Sequence, residues 1–88
     1  MDAEIESISK SRHVSEDVLR HIAGTKEWIR SYTIKINLVE NAKTPIPIAM
    51  KILSQIREPD LRRLAKNKNV SQVIATHARR LAEAKSSK

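Results

Sequence analysis

The side chains with the widest chemical repertoire in this chain are three histidines, His13, His21 and His77. No two stand four residues apart, the spacing that puts a pair of imidazoles on one helical face around a zinc ion, and there is no cysteine to complete such a set. They read as surface or capping residues. The lack of cysteine also excludes disulfides, a thiol nucleophile and iron–sulfur ligation. A single glycine leaves no phosphate-cradling loop. Glu16, Asp17, Glu58 and Asp60 fall where the first turn of a helix favours negative charge, and so small a domain could hardly enclose a general acid with its base. No catalytic, cofactor-binding or metal site is expected. The chain reads as a non-enzyme.

What remains is charge. Seventeen Lys and Arg against ten acids give a formal +7, and it is unevenly placed. Up to Thr44 there are seven basic and seven acidic residues; from Pro45 onward there are ten against three. A basic half favours an acidic partner. The candidate contacts for an anion or partner are Arg12, His13, Lys43, Lys66 and Lys68 in or beside loops. Arg62, Arg63, Arg79 and Arg80 join them on the last two helices, outside the apolar stripes. Without a recognition helix or a base-reading Asn/Gln set, any nucleic-acid binding would engage the phosphate backbone and weaken with salt. Trp28 and Tyr32, the only aromatics, lie four apart and read as core anchors before they read as a stacking platform.

The elements that must hold these groups are helical. Good helix formers dominate, Phe is absent, and 40% hydrophobic content with 2% aromatic implies an aliphatic core. Six helices are expected. The first spans about 3–10. The second starts after a Ser15 cap and ends at Gly24 in a left-handed C′ conformation, burying Val18, Leu19 and Ile22. A long third helix over about 26–40, capped by Thr25, carries both aromatics on one central element. Thr44 caps the fourth, Pro59 opens the fifth, and Ser71 caps the sixth. Residues 1–83 form one domain and 84–88 a polar tail. The acidic start and the lack of an apolar run of about 20 residues give neither signal peptide nor membrane span. A cytoplasmic protein of bacterial type is expected.

One loop-and-helix phrase occurs three times: Ile8 to Val18 around Val14, Leu38 to Ile48 around Thr44, and Leu64 to Ile74 around Val70. The β-branched landmark recurs after 30 and then 26 residues. Ile8, Leu38 and Leu64 form one matched set; Val18, Ile48 and Ile74 form another; Ile22, Ile52 and Ala78 form a third. Such self-similarity predicts helix–turn–helix units stacked so that neighbours bury each other's apolar stripes. Stacking would align the three loops along one edge, each leading into a helix N-terminus whose free amides attract anions.

Leu64-Ala-Lys-Asn-Lys-Asn-Val-Ser71 and Asn41-Ala-Lys-Thr-Pro-Ile46 resemble the Leu-Ala-x-Asn-x-x-Val-Pro phrase of leucine-rich-repeat-variant and HEAT-like helical repeats. The stretch from Ile8 to Leu81 is similar to an uncharacterised proteobacterial repeat family. Ala42, Ser15 and Ser71 stand where those phrases carry Pro. The resemblance implies an all-α fold of three stacked helix–turn–helix repeats in a small right-handed α-α superhelix, serving as a binding scaffold. It brings no catalytic residues. The expected activity is protein binding through the repeat surface and its basic loop edge; the runner-up is non-sequence-specific nucleic-acid binding through the basic C-terminal half. No cofactor is expected, and no feature of the pattern specifies an oligomeric state.

Overall fold

The computed structural model describes residues 2–86. Among them it contains seven helices and no strand. These are α1 (Asp2–Ser9), α2 (Glu16–Gly24), α3 (Lys26–Ile29), α4 (Tyr32–Glu40), α5 (Ile46–Leu53), α6 (Glu58–Lys66) and α7 (Gln72–Ser86). The all-α expectation is met with one more helix than anticipated. The last two residues of the expected polar tail lie outside the described residues, while 84–86 continue α7.

The extra helix comes from a break in the expected third one. Arg30 closes the short α3, and the Ser31 hydroxyl accepts from the Ile34 amide at 3.4 Å to start α4. Serine competes for nearby backbone donors in this way, and it redirects a chain whose apolar periodicity runs straight through. Trp28 and Tyr32 therefore sit on different helices. The Trp28 ring meets His21 edge to face at 5.7 Å, whereas Tyr32 opens α4.

Other ends also differ in detail. Gly24 does not adopt positive φ. Thr25, in extended backbone, stops α2, and its hydroxyl donates to the His21 carbonyl at 2.7 Å rather than capping α3. Ser15 and Ser71 do cap α2 and α7, accepting from the amides of Val18 and Ile74. Thr44 caps nothing. Pro45 occupies the cap position of α5, and the Thr44 side chain is buried one residue earlier, in the place that Val14 and Val70 hold in the other loops. Its Oγ1 has no hydrogen-bond partner among the described residues.

The core is aliphatic throughout. Leu19, Ile34, Leu38, Leu53, Ile56, Leu61 and Leu64 are fully buried, with Ile22, Ile52, Val70, Ile74 and Ala78 close behind. Val18 departs from the expectation: it is 39% exposed, while its counterpart Ile74 is buried. Helix α4 packs on α1, α3 and α5, which explains why it is apolar on more than one side and buries Ile34, Leu38 and Val39 together. Helix α5 packs on α7, and α6 on α7. The result measures 38 × 23 × 19 Å. The Lys85 ammonium donates to the Ile56 carbonyl at 2.9 Å and ties the far end of α7 to the α5–α6 turn.

Candidate functional site

The three loops after α1, α4 and α6 fold alike at the hydrogen-bond level. The amides of Ser11, Asn41 and Asn67 donate to the carbonyls of Ile8, Leu38 and Leu64 at 3.1, 3.3 and 3.1 Å. The side-chain oxygen of each then accepts from the amide two residues on: His13 at 3.1 Å, Lys43 at 3.0 Å and Asn69 at 2.8 Å. Ser and Asn make such turns because a short polar side chain mimics a backbone carbonyl. The thrice-written phrase thus accompanies one backbone shape in all three loops.

These loops meet in a cleft of about 410 Å³. Lys10 and Arg12 reach it from the first loop, Ala42 and Lys43 from the second, and Asn67 and Asn69 from the third. Asn37, Glu40 and Asn41 complete the wall. Among the described residues Lys10, Arg12 and Lys43 form no ion pair, so three cations face one acid, Glu40. Glu40 lies 3.9 Å from the Arg63 guanidinium, which offsets part of its charge.

The two flanks of the cleft are built differently. On one side the buried Asn37 amide donates to the Glu6 carbonyl and the Ser9 hydroxyl, both at 3.1 Å. The Asn41 amide donates to the carbonyls of Ser9 at 3.0 Å and Ser11 at 2.9 Å. These bonds clamp α4 to the first loop and leave both Asn41 groups satisfied. On the other side Asn67 uses its oxygen in the turn, but its amide donates to no described group. The third loop is not clamped to the second, and the cleft opens there.

Away from the edge, α4 is joined to α6 through Tyr32. Its hydroxyl donates to Asp60 at 2.5 Å and accepts from the Arg57 amide at 2.9 Å, and the Arg57 guanidinium lies 4.6 Å over its ring. Partial burial, reinforced by the bond to Asp60, holds the phenol above its ordinary value because the phenolate would be poorly solvated beside a carboxylate.

The other expected contacts are dispersed. His13 is exposed in the first loop but does not line the cleft, and exposed Lys68 flanks Asn67 and Asn69 without entering it. Arg62 is paired with Glu58 at 2.8 Å, and Arg63 with Asp60 at 3.3 Å. Arg62, Lys66 and Arg79 line a separate hollow of about 330 Å³ between α6 and α7. Arg80 lies in another hollow beside Met50 and His77. The helix starts contribute less than their dipoles promise, since the Ser15 and Ser71 hydroxyls already occupy an amide in each first turn. No three His, Cys, Asp or Glu gather as a metal site among the described residues, and no helix is long and apolar enough to cross a membrane.

Sequence reasoning overlooked Asn37, Asn41 and Asn67. The signal was available: two asparagines four apart at the end of α4, and Ser, Asn, Asn at one place in the aligned phrase. Compared with family models, curated proteins and solved structures, the chain matches none of them.

Proposed function

We propose that the chain is a non-enzymatic binding module, a row of three HEAT-like helix pairs in the right-handed stacked arrangement. It engages an anionic segment of a protein partner at its loop edge. The observation that carries this proposal is the convergence of Lys10, Arg12 and Lys43 from two of three equivalent turns on one cleft, beside the uncommitted Asn67 amide. Fixed backbone turns place these groups around one cleft, and a cleft that offers cations beside an amide donor suits a carboxylate or phosphate. The cysteine-free composition suits a reducing compartment, and the cytoplasm is the proposed site of action.

Non-specific nucleic-acid binding is the second reading, favoured by exposed Lys66, Lys68, Arg79 and Arg80 in the basic half. It is the weaker one because Arg62 and Arg63 are already engaged by Glu58 and Asp60. Affinity capture from a host extract, with and without nuclease, separates the two. The protein reading expects a captured protein that survives nuclease and is lost from the Arg12→Glu/Lys43→Glu variant. Equal capture by that variant overturns the edge assignment. Binding to single or double strands at micromolar protein, with a steep loss as salt rises, transfers the function to nucleic acid.

A further inference from the structure

A second surface lies away from the loop edge, and the linear charge count hides it. Helices α2, α3, α4 and α5 border a groove of about 670 Å³ whose floor is Ala23, Ile29, Ile48 and Ile52. Around that floor stand Arg20, Lys26, Arg30, Lys35 and Lys51, with Glu27 as the one acid of the lining. Four of these five cations come from the half of the chain that sums to zero. Arg20 is held by Glu16 on its own helix, while Lys26, Arg30, Lys35 and Lys51 form no ion pair among the described residues. An apolar trough bordered by unpaired positive charge is incomplete as a solvent-facing surface: its floor favours aliphatic side chains and its rim favours carboxylates.

We infer that this groove docks an acidic amphipathic helix of a partner protein, with aliphatic residues at helical spacing laid on Ile29 and Ile48 and flanking Asp or Glu meeting Lys26, Arg30 and Lys51. Charge complementarity selects the acidic face, and the aliphatic floor selects a peptide over a nucleic acid, because no aromatic ring lines the groove to stack a base. The concave form favours a single inserted helix over the flat face of a bilayer. This surface is separate from the loop edge and does not depend on it.

Gly24 supplies a clean probe. It lines the groove, its φ is not positive, and a Cβ built on it meets nothing within 4 Å. A Cβ can therefore be added at this position in the groove lining without a clash. The experiment is fluorescence anisotropy with a labelled peptide of about 16 residues carrying Leu and Glu at helical spacing, beside a scrambled peptide of the same composition. The wild-type chain is expected to bind the amphipathic peptide at least about tenfold more tightly than the scrambled one, and Gly24→Glu to weaken binding about tenfold. Gly24→Ala should bind as wild type, and exposed Lys51→Glu should weaken binding. Circular dichroism establishes that each variant is folded. Equal affinity for both peptides, or undiminished binding by both folded Gly24→Glu and folded Lys51→Glu, overturns the proposal. So does displacement of the peptide by anionic phospholipid vesicles or by a single-stranded oligonucleotide as effectively as by unlabelled peptide.

Discussion

The two junctions along α4 use polar groups in opposite ways. Toward α1, Asn37 and Asn41 spend their amides on carbonyls and a hydroxyl of the first pair, and the edge is sealed. Toward α6, the polar links are Tyr32 with Asp60 and, more loosely, Glu40 with Arg63 at 3.9 Å, while the Asn67 amide at the edge donates to no described group. The same turn therefore serves two purposes. Where its asparagine reaches the neighbouring loop it acts as a structural clamp; where it does not, it leaves a cleft lined with donors and cations. A buried amide is tolerated only when paired, so the sealed junction is the one that must not change. The open junction is free to bind.

This contrast is sharpest in paired asparagine variants. Asn41→Ala leaves the Ser9 and Ser11 carbonyls without their partner and should cost about 2–3 kcal/mol, whereas Asn67→Ala gives up one exposed turn bond and should stay within about 0.5 kcal/mol. Urea unfolding of the two variants checks this, and equal losses would erase the distinction between the junctions.

The second junction has its own pH signature. Tyr32 is the only tyrosine, and its folded value lies above the ordinary one, so its contribution is complete below about pH 10 and lost as pH rises through the folded value. Tyr32→Phe should cost about 1 kcal/mol at neutral pH. The gap between variant and wild type should close in the alkaline range. A gap that stays constant with pH would remove Tyr32 as the post of that junction.

A smaller effect of opposite sign is expected at Thr44, whose buried hydroxyl is unpaired where the other two loops carry valine. Thr44→Val should stabilise by about 1 kcal/mol, read as a higher melting temperature. A loss instead would place an unseen partner on that oxygen.

Local chemistry was legible in the sequence. Ser15 and Ser71 cap as expected because a cap depends on its own next three residues, and the aliphatic core follows from composition. The break at Ser31 was not legible, since Ile29, Tyr32 and Ile36 continue one apolar stripe across it, while the stop is made by the extended backbone of Ser31 and its bond from the Ile34 amide. Nor was the asparagine clamp, whose acceptors lie 28 to 32 residues away and are brought near only by packing. Of the site, the loop cations Arg12 and Lys43 could be found by aligning the phrase. The basic groove could not, because a sum along the chain does not record where helices carry each sign.

The central claim is that the loop edge, at its open junction, is where a partner's anionic group is held. The most direct measurement is an amide chemical-shift titration of the labelled chain with a short peptide bearing a single carboxylate-rich or phosphorylated segment. The account predicts that the largest shifts fall in the three turns, at Arg12, Lys43, Asn67 and Asn69, and that Arg12→Glu/Lys43→Glu abolishes them. Shifts confined to α6 and α7 around Arg79 and Arg80, or shifts in the turns that persist in the charge-reversed variant, would contradict it.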